Sequence, residues 1–402
     1  MLFKQKYCRD CGNAQTNHTL TYLTVLVELI SDPWTNWMSR LFPMRNVEST
    51  GPKFLELLTK LHIGYFTYKP DASDSGRTQV LWEEANRRNI TLKEFHLFKG
   101  AGEVFVSEFC GQSNYFEVLP RPSNANLDAL AWMDKKMALK TKLKIAGLPV
   151  ARGEVAYLEG RAKKIFNWLR KPVIVKPNEG SRSRHTTIHI ETEKELVRAF
   201  RKAKQLSPLV VIEEELLGMV YRATVINKKL VATLRREPAM VIGNGKSTIH
   251  ELVKLENQNP LRNTHIFHPL IIDKHAETEL ARQAKTKDSK PKKGEIILLG
   301  QKTSRGLGGG ITDVTKLVHK DNVALFEQVA KILNDDLIGI DFIIGDISRS
   351  WKTQARCGVL ECNSAPFIDL HHHPLIGKPQ NVAGKIWDMI YPNSKSRKQI
   401  KK

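Results

Sequence analysis

The chain has 402 residues, enough for two or three domains around an ample core, and its 41% hydrophobic and 26% charged content is ordinary for a globular protein. Its 63 basic against 42 acidic residues, a formal charge of +21, favour polyanionic partners: nucleotide, acidic peptide, nucleic acid or anionic membrane. No apolar run reaches transmembrane length, which speaks against a membrane-spanning protein and, with scattered cysteines, for a cytoplasmic one.

The N-terminal stretch is poor in chemistry. Cys8 and Cys11 form a C-x-x-C, but no second pair follows at zinc-ribbon spacing, so reduced thiols are the simpler expectation. LTYLTVLVELI is too short to span a membrane and precedes no small-residue cleavage site. FLELLTKL and VLWEEANRRN have helical periodicity, while EVFVSEF and YFEVL read as strands, an alternation that suggests a small doubly wound α/β unit over 1–122. LPRPSNANLDAL, with two prolines and several turn formers, reads as a linker.

Beyond the linker the signals crowd together. AWMDKKMALKTKLKIAGLPVARG predicts a basic helix ending at Gly147 and a turn into a strand. KPVIVKPNEGSRSRHTTIHI predicts a strand ending at Lys176, a loop with Gly180, Ser181 and Ser183, and a second strand. Such a loop lets backbone N–H groups approach phosphates, and Lys176 adds a positive charge, although no Walker ending is present. LVVIEEELLG carries an apolar strand into Glu213, Glu214 and Glu215, and a hairpin through Asn227–Lys229 ends in Arg235 and Arg236. Finally, IGIDFII and CGVLECN read as two antiparallel strands. Asp341 lies on the first, and Glu361 and Asn363 share a face of the second. Two carboxylates and an amide oxygen are hard ligands suited to magnesium beside nucleotide phosphates.

In this order of parts the chain resembles the ATP-grasp superfamily. The segments RREPAMVIGNGKSTIHELV, NQNPLRN, GGGITDVT, GIDFII and ECNSAPFIDLHHHPLIGKPQNVA are similar to the ATP-grasp half of cyanophycin synthetases and bifunctional glutathione synthetases, over roughly residues 127–391. The resemblance implies an α/β (α+β) ATP-grasp fold over 127–392, behind the N-terminal α/β domain and ahead of a basic tail, 393–402. Within it, 127–205 is expected to form a small lysine and flap subdomain and 206–392 a large metal-binding one.

The resemblance also implies roles. Lys136, or Lys135 next to it, and Lys176 are expected to hold phosphates under a flap formed by residues 180–184. Glu213 and the backbone of Glu214 and Glu215 are expected at the adenine. Asp341, Glu361 and Asn363 are expected to hold two magnesium ions (manganese could substitute), with Glu361 bridging. Arg222, Arg235 and Arg236 are expected to steady the transferred phosphoryl group. Arg305, Gly308, Gly309, Asp369 and His371 are expected to line the acceptor side.

Several residues depart from that branch: Val220 where an acid is usual, RGLGGG in place of a hydroxyl-bearing loop, Phe367 for glycine, Asp369 for arginine, and His185 for a small residue in the flap. Asp369 is expected either to hold an incoming amine or to be a solvated loop acid.

The implied activity is an ATP- and Mg-dependent, ADP-forming carboxylate–amine ligase acting on an amino acid or acidic peptide-like substrate. Two readings from other classes compete. One is an ATP-binding module for regulation or assembly, against which the retained metal trio argues. The other is nucleic-acid binding, against which the lack of an aromatic-basic motif argues. The chain ends before the Mur-type second half of cyanophycin synthetases, so two-step polymerisation by this polypeptide alone is not expected. A homo-oligomer is compatible with the sequence, and no motif encodes one.

Overall fold

The computed structural model describes residues 8, 17–41, 47–71, 75–97, 104–123, 125, 129, 132–133, 136–178, 184–263, 266–303 and 305–395. Lys135, Gly180, Ser181, Ser183 and most of the basic tail lie outside them. Among the described residues no helix is long and apolar enough to cross a membrane.

Two helices, α1 (His18–Leu41) and α2 (Val47–Lys60), precede the N-terminal sheet. Its strands β1 (Gly64–Thr67), β2 (Thr91–Leu97), β3 (Val104–Phe109) and β4 (Gln112–Glu117) lie in sequence order and pair antiparallel throughout. The doubly wound expectation therefore fails here. The two-residue turn at Cys110–Gly111 joins antiparallel strands only, since a parallel pair needs a crossover. Between β1 and β2, helix α3 (Gly76–Arg87) is started by Ser75, whose side chain accepts from the N–H of Thr78. The unit has a small cluster of its own, Leu55, Phe95 and Val106, but its larger core is shared: Leu81, Trp82, Phe105 and Phe116 pack with Ile226, Leu337, Ile386 and Trp387 from later in the chain.

After α4 (Lys136–Ile145) comes a second sheet. Strands β5 (Gly153–Ala156), β6 (Val173–Pro177), β7 (Thr187–Ile190) and β8 (Val210–Glu214) run in spatial order β5-β8-β6-β7. Helices α5 (Glu159–Trp168) and α6 (Glu193–Ala203) bury Ile165, Phe166, Leu196 and Phe200 against it. Because β8 is an interior strand of this sheet, the divide between small and large parts falls beyond Glu214, not at residue 205.

The large sheet is built from β9 (Met219–Ile226), β10 (Lys229–Glu237), β13 (Gly310–Asp313), β14 (Leu337–Ile344) and β15 (Gly358–Asn363), in the order β13-β10-β9-β14-β15. A two-stranded side ribbon of β11 (Met240–Ile242) and β12 (Ile296–Leu298), paired antiparallel, packs on α7 (Ile249–Glu256) and α8 (Lys274–Arg282), which lie between them in sequence. Every residue of β14 is buried. One face of the sheet is covered by α4 and α9 (Lys320–Leu333), through Leu139, Leu143, Phe326 and Val329 against Tyr221, Ile340 and Phe342. Helices α10 (Asp369–His372) and α11 (Val382–Ile390) close the fold.

Candidate active site

Three adjacent strands carry charge in a single row. Asp341 on β14 lies opposite Arg222 on β9 and opposite Glu361 on β15. Directly opposed residues share a face, so the three side chains stand together. Asn363, two residues past Glu361, faces the same way and pairs with Gly339. A Cβ at Gly339 would lie 2.7 Å from Pro366 and 3.3 Å from the Arg222 guanidinium, so glycine leaves the space that the arginine fills.

Arg222 grips both oxygens of Asp341, through Nε and through Nη2 at 2.8 Å, with the two residues 4% and 1% exposed. Arg236 adds a contact from Nη1 at 3.3 Å. Burial would raise the Asp341 carboxyl, but Arg222 and then Arg236 outweigh it and hold it below the ordinary carboxylate range. Glu361 goes the other way: burial, then the neighbouring Asp341 charge, push it up. The pair thus has one carboxyl compensated by arginine and one short of positive charge. With the Asn363 amide beside them, this set of hard oxygen donors fits a divalent ion such as magnesium.

Arg235 does not join this group. It pairs with Tyr221 across β9, whereas Arg236 pairs with Val220, so consecutive arginines point to opposite faces. Arg235 donates instead to Glu237, from Nε at 2.7 Å.

A second charged cluster sits on the small sheet. Glu213, 1% exposed, receives Lys176 from β6 on one oxygen and Lys140 from α4 on the other. Lys140 is a site residue that sequence reasoning missed. It lies one turn after Lys136, so helical spacing puts both on one side of α4 while Leu139 and Leu143 enter the core. Burial lowers Lys140 to about 8 despite Glu213 beside it. Burial opposes ionisation of Glu213 as well, yet Lys140 and Lys176 pull it down to about 2. Lys136 donates to the Asn178 carbonyl at 3.1 Å, and its charge also acts on Glu361 and on Lys140, so it stands between the two clusters.

The acidic hinge differs from expectation. The Glu213 carboxylate is occupied by two lysines. The backbone N–H groups of Glu214 and Glu215 donate to the Arg152 and Pro172 carbonyls, and the Glu215 carbonyl accepts from Arg356 at 2.8 Å. The Glu215 side chain accepts from the N–H of His189 at 2.9 Å. A cavity of about 290 Å³ opens beside this cluster, between α4 and β5, lined among others by Lys140, Lys144, Arg152, Trp168 and Glu213.

On the acceptor side, Asp369 is not the solvated loop acid of one expectation. It is 1% exposed, and its Oδ2 accepts from Arg305 at 2.9 Å. Gly308 holds a turn at φ +83°, its carbonyl accepts from Arg262 at 2.7 Å, and a Cβ would meet Leu270 at 2.8 Å; Gly309 is buried beside it. His371 is fully buried, its Nε2 is 2.7 Å from the Thr224 hydroxyl, and burial, then Arg222, lower it to about 3, so it is neutral. Arg222 Nη1, Asn363 Nδ2, Asp369 Oδ1 and His371 Nδ1 are all buried with no hydrogen-bond partner among the described residues.

No family model matches the chain. It is 35% identical over 265 residues to cyanophycin synthetase of Trichormus variabilis, covering 65% of this chain and 29% of the relative. It is 30% identical over 325 residues to the glutathione biosynthesis bifunctional protein of Clostridium perfringens, covering 78% and 41%. The crystal structure of a bifunctional glutathione synthetase from Pasteurella multocida superposes with a TM-score of 0.61 at 22% identity, covering 79% of this chain and 43% of that one. The chain thus spans less than half the length of these curated relatives. The order of parts, the two sheets with their lysine and acid clusters, and these likenesses agree: the chain belongs to the ATP-grasp superfamily.

Proposed function

We propose that the chain is an ADP-forming carboxylate–amine ligase that uses ATP and magnesium to activate an amino acid or acidic peptide-like substrate as an acyl phosphate. The observation that carries this reading is the row Arg222–Asp341–Glu361, with Asn363 beside it and Lys136 acting on Glu361 from the small-sheet side. A pure binding module has no need of opposed carboxylates next to buried arginines.

A carboxylate is a poor electrophile, because oxide or hydroxide is a leaving group that does not depart at neutral pH. Transfer of the γ-phosphoryl group to it gives an acyl phosphate, which an amine attacks with loss of inorganic phosphate. Such transfer needs positioning and charge stabilisation more than a protein nucleophile. Asp341, Glu361 and Asn363 would hold the magnesium ions, which when bound neutralise phosphate charge. Lys136, Lys140 and Lys176 orient the phosphates. Arg222 and Arg236 face the charge that develops in transfer, and neutral His371 keeps Thr224 in place behind them. Arg305, fixed by Asp369, presents the remaining positive charge to an acidic substrate.

The test is phosphate release from Mg-ATP across a panel of amino acids and acidic peptides, repeated with hydroxylamine as the amine. Acid-dependent phosphate release and a hydroxamate product are expected. A chain that binds Mg-ATP but yields neither with any acid in the panel, or a Glu361→Ala variant of undiminished turnover, would overturn the reading.

A further inference from the structure

A separate group of metal-ligating side chains joins the N-terminus of the chain to the loop ahead of β7. The Cys8 thiol and one ring nitrogen each of His18 and His185 lie within 4.8 Å of one another. Cys8 Sγ is 3.4 Å from His185 Nε2, across 177 residues of sequence. Two ligands on one zinc, with bonds of about 2.3 Å to sulfur and 2.0–2.1 Å to nitrogen at a tetrahedral angle, stand roughly 3.5 Å apart. The rings of His18 and His185 meet edge-on, with centroids 4.7 Å apart and planes at 87°.

The orientation of His185 points the same way. The residue is fully buried, and its Nδ1 lies 2.7 Å from the Lys202 carbonyl. A carbonyl only accepts, so Nδ1 carries the proton and Nε2 turns its lone pair toward Cys8. Metal-bound histidines are held in this manner, with the outer N–H on a carbonyl fixing tautomer and ring plane. His185 takes a positive φ of 50°.

We propose that Cys8, His18 and His185 form a zinc site that fastens the N-terminal segment to the loop between β6 and β7. A thiolate with two neutral imidazoles suits zinc and not magnesium, which takes oxygen ligands. On binding, the Cys8 thiol gives up its proton and its sulfur bonds the metal, so one proton is released. Cys11, the other cysteine of the C-x-x-C, lies outside the described residues.

The experiment uses the full chain, stripped of metal by a chelator under reducing conditions and titrated with cobalt(II) alone, then with zinc. The expected result is one cobalt per chain with a thiolate charge-transfer band, displaced by one equivalent of zinc. Cys8→Ser should weaken or abolish that band. His185→Ala should lower the affinity at least tenfold, and Glu361→Gln, at the magnesium trio, should leave the titration unchanged. Zinc should also raise the thermal midpoint of the stripped wild-type chain, a readout that needs no variant. No thiolate–cobalt band in the wild type, or a band undiminished in Cys8→Ser, would overturn the site. Neither outcome bears on ligase activity.

Discussion

Replacing Arg222 by methionine isolates the value of the buried pair at the centre of the large sheet. The methionine keeps much of the arginine stem's volume but removes the group that holds both Asp341 oxygens. Asp341 is then left at 1% exposure with Arg236, at 3.3 Å, as its remaining cation among the described residues. Removing one partner of a buried ion pair costs about 3–5 kcal/mol, because the surviving charge stays uncompensated. With an unfolding entropy of about 2.1 cal/mol/K per residue over 402 residues, each kcal/mol is worth roughly 1.2 °C, so the thermal midpoint falls by about 4–6 °C in chelator. Two controls give the prediction its edge. The double variant Arg222→Met with Asp341→Asn should recover most of the loss, since no buried charge remains to be compensated. Magnesium should stabilise Arg222→Met more than it does the wild type, because the ion can replace the lost positive charge beside Asp341 and Glu361. Calorimetry with and without magnesium measures all of this. A single variant within about 1 kcal/mol of wild type, or a double variant as unstable as the single, would show that the pair is not energetically coupled.

Glu361→Ala should abolish ADP formation while the fold survives, whereas Asn363→Ala, which removes a neutral ligand, should keep measurable turnover; equal, wild-type-like rates in both would sink the metal assignment. Lys176→Ala should weaken ATP binding in calorimetry, while Arg236→Ala should spare binding and lower turnover, and the reverse pattern would exchange the two roles. Lys140 sits near 8 in the free protein, below its ordinary 10.5. Between those values the folded chain binds fewer protons than the unfolded one, so this group makes stability rise with pH across that window. A polyanion favours the charged lysine, so ATP binding above pH 8 should take up a proton and weaken as pH rises; Lys140→Met should remove the uptake, and identical proton uptake in that variant would acquit Lys140.

The most legible part of the sequence was the pair of strands bearing Asp341 and Glu361. An acid in an otherwise unbroken apolar run has no packing reason to be there, and β14 is buried along its whole length. The hairpin through Asn227 and the two strands flanking the glycine loop were equally plain, since turn formers bounded each apolar run. In the N-terminal unit short apolar runs do not say which way a strand runs; the two-residue link at Cys110–Gly111 does. Arg235 and Arg236 are adjacent on one strand, and period-two alternation forbids adjacent residues from sharing a face. Lys140 was harder. Its helix carries lysines at 136, 140, 142 and 144, and only the burial of Leu139 and Leu143 singles out which of them turns inward. The meeting of Cys8, His18 and His185 had no local signal at all, since it is made by the path of the whole chain.

Charge in the free protein is arranged so that several cations expected to meet phosphate or substrate already hold an internal acid. Lys140 and Lys176 share Glu213, Arg222 and Arg236 share Asp341, and Arg305 holds Asp369. This solves a folding problem, because uncompensated charges at such burial would cost several kcal/mol each. It also shapes binding. A nucleotide entering the site exchanges partners with groups that are already paired, so its net gain per contact is a difference and not a full ion-pair energy. The exchange is uneven. Glu213 has two lysines and can lend one, whereas Glu361 forms no ion pair among the described residues and is raised by burial and then by Asp341 next to it. The carboxylate pair is therefore where added positive charge gains most. Under the proposed function, magnesium and nucleotide should then bind with positive coupling: ATP affinity should rise with magnesium in the wild type and lose most of that dependence in Glu361→Gln. If ATP binds the variant with an undiminished magnesium dependence, the ion acts only as the counter-ion of free ATP, and the acids on β14 and β15 are not its seat.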